Sequence, residues 1–274
     1  MVRKIELCYM TLLDCGLLER IRIAAAAGYD QVGMRLVPVS PQDVVEPILT
    51  DITLRRRIVR ALREAGISAG GIEFVRLAAD TDIAALEPLL ACAAELGAKH
   101  MLTLGGDVEL AQLTDLFCAL CEAASQYALT PQLEFAIWSR VPNLAVTRAV
   151  VEGSGRTEGG VLIDALHTHR SGVTLDDIRA TPSERIHSIQ LCDAMRTYDH
   201  DWDAMKIVAR TARLPPGQGE LDLIELIRAT PTHAIVAAEV PNSALQTQLG
   251  AEQHARLVLD ATHRVLRIAD ANRQ

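Results

Sequence analysis

Val161-Leu-Ile-Asp-Ala-Leu-His-Thr-His-Arg-Ser-Gly172 begins as an apolar run and ends as a group of polar side chains. The branched apolar residues at 161–163 are typical of a strand that is covered on both faces. Asp164 then interrupts the run, and a carboxylate at the end of a buried strand is costly to desolvate unless it is paired or bound to a metal. The stretch therefore predicts a strand over 160–167 that carries a buried carboxylate near its end, with a charged partner elsewhere in the chain.

The pattern of a short apolar strand followed by a helix recurs eight times along the 274 residues. Glycines end two of the predicted helices, with Gly66 after 52–65 and Gly97 after 83–96. Alternating strands and helices indicate a parallel sheet, and eight such units predict an α/β fold, a (β/α)8 TIM barrel that spans 1–274 as a single domain. An open doubly wound sheet would usually carry a glycine-rich turn after its first strand, which Leu12-Leu-Asp-Cys-Gly16 does not resemble.

Composition narrows the classes of partner. The net charge of −8 argues against a nucleic-acid backbone as the main partner. No apolar run approaches the roughly 18 residues of a membrane span, and the N-terminus lacks the apolar region of a signal peptide. The six cysteines are scattered through predicted strands and helices, which indicates a reducing compartment. We therefore expect a cytoplasmic protein without membrane or nucleic-acid partners, and the sequence leaves a homodimer and a homotetramer open.

Period-two alternation places one oxygen donor near the carboxyl end of each of the last four predicted strands. Three carboxylates directed at one axis would repel each other strongly, and a divalent cation would relieve that repulsion. All-oxygen ligation is typical of Mg²⁺ or Mn²⁺. The alternative is a set of ordinary salt bridges with Arg140, Arg170 or Arg185, but four donors in register favour a metal site. The four donors are Glu134, Asp164, Gln190 and Glu239.

Over nearly its whole length the chain resembles the xylose-isomerase-like sugar phosphate isomerases and epimerases. These TIM barrels also include hydroxypyruvate isomerase, tagatose 3-epimerase, inosose isomerase and dehydratase, and 3-dehydroshikimate dehydratase. The segments that carry the resemblance are Leu133-Glu134-Phe, Ile163-Asp164-Ala-Leu-His167, Ile189-Gln190-Leu-Cys-Asp193, Pro216-Gly-Gln-Gly-Glu-Leu-Asp222 and Ala238-Glu239-Val-Pro241.

The resemblance implies one divalent metal ion per chain, held by Glu134, Asp164, Gln190 and Glu239. It also implies that Glu134 and Glu239 act as the acid and base that move a proton through a metal-stabilised cis-enediolate. The family commonly has a histidine where this chain has Gln190, a weaker donor than imidazole for softer metals. Mn²⁺ or Mg²⁺ is therefore expected first, Co²⁺ and Zn²⁺ stay open, and the change leaves room for Asp193 to take part.

Further polar residues close to the predicted strand ends are candidates for substrate binding. His167 follows Asp164 by three residues, and Arg213 precedes a Pro-Pro-Gly-Gln-Gly turn where a guanidinium could bind a carboxylate, a phosphate or a pair of hydroxyls. Arg170 is a similar candidate. Glu73 could bind sugar hydroxyls or pair with Arg76. The polar segment 194–219 is predicted to act as a lid, and its candidate residues are Tyr198, His200, Trp202 and Lys206.

The expected function is a metal-dependent isomerase or epimerase of a ketose, a keto-polyol or a related sugar, with phosphorylation of the substrate left open. The alternative is a lyase or dehydratase that uses the same enolate to expel a leaving group from a keto-sugar or keto-cyclitol. An endonuclease of the related AP-endonuclease type would need several histidine ligands and a basic groove, and the scarcity of histidine at the strand ends and the net charge of −8 count against it. A non-catalytic sugar-binding barrel is opposed by the intact set of carboxylates.

Overall fold

Eight parallel strands close into a barrel in the computed structural model, which describes residues 3–38 and 45–271. The strands follow each other around the barrel in chain order, and β1 pairs with both β2 and β8. This closure confirms the predicted (β/α)8 TIM barrel and excludes the open doubly wound sheet. The strands are β1 Ile5–Leu7, β2 Gln31–Met34, β3 Ser68–Leu77, β4 His100–Gly105, β5 Thr130–Glu134, β6 Gly160–Asp164, β7 Ile186–Leu191 and β8 Ile235–Ala238.

Helices follow every strand and cover the outside of the barrel. Two of the predicted helix ends are confirmed, because Gly66 and Gly97 adopt left-handed conformations with φ of 70° and 84°. Within the described residues no helix is long and apolar enough to cross a membrane. The helices are α1 Leu17–Ala27, α2 Ile52–Ala65, α3 Glu87–Leu96, α4 Leu110–Ser125, α5 Leu144–Gly153, α6 Ala165–Arg170, α7 Leu175–Arg179, α8 Trp202–Thr211, α9 Leu223–Ala229, α10 Ser243–Leu249 and α11 Ala251–Ala271.

Two segments differ from the sequence prediction, and side-chain capping explains both. The strand predicted at 160–167 ends at Asp164, because this carboxylate accepts the backbone N–H of His167 at 2.8 Å and starts α6. The segment 194–219, predicted as a loop, contains α8. Asp201 caps that helix by accepting the N–H groups of Asp203 and Ala204 at 3.0 and 2.9 Å. The polar residues after β6 therefore lie on a helix rather than in a loop.

The barrel interior below the strand ends contains a buried polar layer. Glu6 on β1 is 5% exposed and accepts the N–H of Gly71 at 2.9 Å. Gly33 and Gly70 on the neighbouring strands leave room for this carboxyl group, because a Cβ at either position would overlap it. Burial is the main reason that the pKa of Glu6 rises to about 8, and the charge of Glu73 adds to it. Folded Glu6 is therefore protonated at neutral pH.

Replacing Glu6 by Gln should change the pH dependence of stability. The unfolded carboxyl ionises near its ordinary pKa of 4.5, so the unfolded state binds fewer protons than the native state between about pH 4.5 and 8. The stabilisation from this group is complete below pH 4.5 and is lost as the pH rises towards 8. Urea unfolding across this range should show Glu6→Gln gaining on the wild type, by roughly 3 kcal/mol at pH 7. Stability curves that run parallel over the range would contradict this origin of the pKa shift.

Candidate active site

The four predicted strand-end donors lie at the carboxyl end of the barrel. Glu134 and Asp164 are the last residues of β5 and β6, and Asp164 pairs in register with Gln190 of β7. Glu239 directly follows β8. All four side chains are buried, with at most 7% of each residue exposed. Their placement follows from the parallel order of the strands, because equivalent ends of neighbouring parallel strands meet at one edge.

A cavity of about 720 Å³ opens at this end of the barrel. Five of the predicted site residues line it, namely Glu73, Glu134, His167, Arg213 and Glu239. Gln190 lies one layer deeper, on a small chamber that it shares with Glu6, Cys8 and Glu73. Trp138 and Trp202 also line the cavity, and an aromatic side chain there can pack against the apolar face of a sugar ring.

Arg213 lies between two of the predicted metal ligands. Its Nη1 is 2.5 Å from Asp164 Oδ2, its Nη2 is 3.1 Å from Glu239 Oε1, and its Nε donates to the carbonyl of Ala209 at 2.8 Å. Burial alone would lower the pKa of Arg213, but the two carboxylates hold it above its usual value. All three guanidinium nitrogens are therefore engaged by the protein, although the sequence predicted a substrate contact for this side chain.

The pKa of each carboxyl group reflects its distance from Arg213. Burial would raise the pKa of Asp164, but the charge of Arg213 and the N–H of His167 hold it below its usual value. Burial raises the pKa of Glu239 to about 8, with Arg213 opposing the rise. Burial also raises the pKa of Glu134, and the charges of Asp164 and Glu239 raise it further. Glu134 lines the cavity without a salt bridge to an arginine or lysine among the described residues.

His167, rather than Arg213, lies beside the carboxyl group of Glu134. Its Nε2 lies 3.7 Å from Glu134 Oε1, and its ring meets the edge of Trp138 at a centroid distance of 5.0 Å. Burial lowers the pKa of His167 to about 4 despite the charge of Asp164, so the imidazole is neutral at neutral pH. A neutral imidazole can accept or donate a hydrogen bond, and here it faces both the carboxyl group and the cavity.

The donor set fits a hard divalent cation in its chemistry. Gln190 Oε1 is buried and has no hydrogen-bond partner in the part of the chain that the structure describes. A buried carbonyl oxygen without a donor is costly, and a cation would satisfy it. In their spacing the residues fit less well, since no three His, Cys, Asp or Glu side chains among residues 3–38 and 45–271 are arranged to bind one metal ion. Arg213 supplies the positive charge between Asp164 and Glu239 instead.

Asp193 has a structural position rather than a place beside the donors. Its Oδ1 accepts the N–H groups of Ala194 and Leu221 at 2.8 and 3.0 Å, and its Oδ2 accepts that of Gly217 at 2.9 Å. A Cβ at Gly219 would overlap this carboxylate. The sequence had left open that Asp193 takes part in metal binding. In the structure its carboxylate instead binds the turn at 215–221 and holds that turn against the end of β7.

Two of the predicted substrate contacts have different surroundings. Glu73 lines the cavity but is bound from below, since its Oε1 accepts the Cys8 thiol at 2.9 Å and the N–H of Tyr9 at 3.0 Å. Among the described residues its ion-pair partner is Arg35 at 4.0 Å rather than Arg76, which the sequence had left open as a partner. Arg170 does not line the cavity, because its guanidinium stacks on Tyr198 at 3.6 Å from the ring centre and lines a separate pocket. The sequence prediction that Arg170 contacts the substrate is therefore corrected. Its side chain packs against the segment 194–214 instead.

The arginines suggested by the sequence as salt-bridge partners of the strand-end carboxylates do not pair with them. Arg140 pairs with exposed Asp107 at 2.7 Å, and Arg185 donates to the carbonyl groups of Arg156 and Gly159. The cation that reaches the strand-end carboxylates is Arg213, which is 49 residues from Asp164 in sequence. Sequence spacing could not reveal this partner, because the segment that carries it folds back over the barrel.

Several residues that line the cavity were missed from the sequence, namely Met10, Arg35, Phe74, Arg76 and Arg210. The signal that could have found one of them is the spacing within α8. Trp202, Lys206 and Arg210 recur every four residues and lie on one face of the helix, and all three line the cavity. The segment 194–219 therefore lines part of the cavity with a helix, and its action as a lid stays a prediction.

The sequence was compared with protein-family models and with curated proteins. Residues 21–262 match the family model described as the xylose isomerase-like TIM barrel. A comparison of the sequence with curated proteins gives no significant match.

Solved structures share the fold over nearly the whole chain. The IolI protein with a bound zinc atom superposes with a TM-score of 0.81 at 17% identity, covering 97% of this chain and 99% of that chain. The probable 3-DHS dehydratase AsbF from Bacillus anthracis gives 0.75 at 15% identity, with 95% and 98% covered. D-psicose 3-epimerase in the presence of D-fructose gives 0.69 at 14% identity, with 96% and 99% covered. Because the family model spans most of the sequence, this chain belongs to the xylose isomerase-like TIM barrel family.

Proposed function

We propose that this protein is a divalent-metal-dependent isomerase or epimerase of a ketose, a keto-polyol or a related sugar, in which Glu134 is the base. The observation that carries the proposal is the isolation of Glu134. It is a buried carboxyl group on the cavity wall, next to neutral His167 and without the arginine that neutralises Asp164 and Glu239. Burial raises its pKa, and a base of raised pKa is better matched to removing a proton from carbon near neutral pH.

The metal of this proposal would be held by Glu134, Asp164, Gln190 and Glu239, with Mn²⁺ or Mg²⁺ expected from the oxygen donors. A bound cation would polarise the substrate carbonyl and make the neighbouring C–H bond more acidic. Glu134 would take that proton, and Glu239 on the other side of the cavity would return one to the substrate. His167, at 3.7 Å from Glu134, would orient the carboxyl group and hydrogen-bond a substrate oxygen.

Glu239 also supports a second candidate function, a lyase or dehydratase. Its Oε1 forms an ion pair with Arg213 at 3.1 Å, whereas Glu134 has no such partner among the described residues. A site with one free base can remove a proton and return it to a departing hydroxyl group, which is the chemistry of elimination. The dehydratase and the epimerase among the structural neighbours show that this fold hosts both outcomes.

A test of both candidates is deuterium exchange in D2O with added Mn²⁺, followed by proton NMR of ketoses and of polyhydroxy keto acids. We expect metal-dependent loss of the signal of the proton beside the carbonyl for at least one substrate class. Glu239→Gln separates the two readings, since an epimerase needs the second carboxyl to form product and a one-base lyase does not. Absence of exchange with every class, together with no binding of Mn²⁺ by calorimetry, would rule out the proposal.

The remaining expectations from the sequence stay part of this proposal. They are a single domain over 1–274, a cytoplasmic location, a small-molecule substrate without nucleic-acid or membrane partners, and assembly as a homodimer or homotetramer.

A further inference from the structure

The acidic and the basic side chains that line the cavity lie at different depths. The carboxyl groups of Glu134 and Glu239 lie at its base and are buried, whereas Arg76 and Arg210 are exposed and lie at its mouth. Among the residues that the structure describes, six cationic side chains and four carboxylates line the cavity, in a chain whose net charge is −8. The cations are Arg35, Arg76, Arg140, Lys206, Arg210 and Arg213. A positive mouth on an acidic protein is a local feature of the site and does not follow from composition.

Most of these cations have protein partners. Arg213 binds Asp164 and Glu239 in the base of the cavity, and Arg140 pairs with Asp107 at 2.7 Å. Arg35 lies 4.0 Å from Glu73. Lys206 pairs with Asp203 on the same helix at 3.1 Å. Their charges are thus already compensated by carboxylates.

Arg76 and Arg210 are different. Within the described residues neither guanidinium forms a hydrogen bond or an ion pair. The guanidinium of Arg76 lies over the Phe74 ring, 5.6 Å from its centre. Both side chains line the same cavity, and partial burial together with repulsion by the charge of Arg210 lowers the pKa of Arg76. An anion bound between them would remove this repulsion. A cation bound at the base of the cavity would do the same for the carboxylates there.

The two arginines reach the lining of the cavity from opposite sides of the barrel. Arg76 is the second-last residue of β3, whereas α8, which carries Arg210, follows β7, four strands away in the closed order. On α8, Arg210 lies one turn from Lys206, and like charges at this spacing destabilise a helix slightly. Two separate segments therefore direct positive charge at the same opening, and a guanidinium pair can bind a carboxylate or phosphate through several N–H groups.

We propose that the substrate of this site carries an anionic group, a carboxylate or a phosphate, which Arg76 and Arg210 bind at the cavity mouth while its keto-hydroxyl end lies beside Glu134. The proposal rests on the proposed function, because it names the substrate class of the same site. It predicts polyhydroxy keto acids or keto-sugar phosphates, rather than uncharged ketoses, as the compounds that the enzyme turns over.

Tryptophan fluorescence provides a direct binding test, because the two tryptophans of the chain, Trp138 and Trp202, both line the cavity. The full-length protein is titrated with matched pairs of probes, gluconate against sorbitol and fructose 6-phosphate against fructose, with inorganic phosphate alone as a fifth probe. We expect the charged member of a pair to bind about tenfold or more tightly than its uncharged counterpart. Tighter binding in the gluconate pair assigns a carboxylate, and tighter binding in the phosphate pair assigns a phosphate.

Arg76→Gln and Arg210→Gln should each weaken binding of the charged probe about tenfold and leave the uncharged probe unchanged. The matched control is Arg179→Gln, an exposed arginine on α7 that pairs with Asp176 and lies outside the cavity lining. Equal affinity for charged and uncharged probes, no fluorescence change with any anion at millimolar concentration, or anion affinity that survives both variants would each overturn the proposal. The titration needs neither metal nor turnover, so its failure is distinguishable from failure of the deuterium exchange.

Discussion

Glu134→Gln should lower the rate of metal-dependent deuterium exchange about 10³-fold, the largest effect that we expect from a single substitution in the cavity. The amide has nearly the shape of the carboxyl group, but it cannot accept a proton from carbon. His167 cannot replace it, because burial lowers the pKa of that imidazole to about 4 and makes it a weak base. Exchange is measured by NMR at matched concentrations of protein and Mn²⁺.

The control for Glu134→Gln is Glu152→Gln on α5, an exposed carboxylate in an i, i+4 pair with Arg148. It should leave exchange unchanged. Calorimetry of Mn²⁺ binding then separates two contributions, because Glu134 is also a proposed metal ligand. If saturating Mn²⁺ restores exchange in Glu134→Gln, Glu134 acts as a ligand only, and the base must be sought elsewhere in the cavity.

Asp164→Ala should lower the free energy of unfolding by about 3 kcal/mol or more in the metal-free protein. Removing this carboxylate leaves Arg213, which is 3% exposed, with Glu239 as its remaining carboxyl partner. It also removes the N-cap of α6, a contribution of about 1 kcal/mol. The measurement is urea unfolding followed by circular dichroism near pH 7, where Asp164 is ionised because its pKa lies below the usual value.

Two further variants show which interaction is responsible. Asp164→Asn keeps an oxygen that can cap α6 but loses the charge, and the double variant Asp164→Ala with Arg213→Met removes both buried charges. Breaking one side of a buried ion pair is costlier than removing both sides, so the double variant should recover part of the loss. Asp176→Ala, which breaks an exposed pair with Arg179, should change stability by less than about 0.5 kcal/mol. A double variant that is less stable than Asp164→Ala would contradict the ion-pair account.

The fold could be predicted in advance because its signals are local. Glycines after two helices and apolar runs of strand length are set by neighbouring residues, and the order of strands and helices follows from them. The predicted boundaries were wrong where a side chain acts on the backbone over a few residues, as Asp164 does at the start of α6 and Asp201 at the start of α8. Capping of this kind competes with strand continuation, and periodicity alone does not reveal which of the two is favoured.

The positions of Glu134, Asp164, Gln190 and Glu239 at one end of the barrel were also predictable from the sequence. Period-two alternation directs each side chain inward, and parallel strands bring their carboxyl ends to one edge, so no distant contact had to be known. The metal and catalytic roles of these residues stay predictions.

Only the tertiary structure decided which charges meet. It placed Arg213 between Asp164 and Glu239, bound Asp193 to the turn at 215–221, stacked Arg170 on Tyr198 outside the cavity, and placed Arg76 and Arg210 in the lining of one cavity. The physical reason is that these partners lie on segments far apart in sequence, and ionic interactions depend on distance in space and on burial rather than on sequence spacing. The carboxylate of Asp164 therefore had a predictable position, but its partner, a guanidinium 49 residues away, followed only from the folding of 194–219 over the barrel.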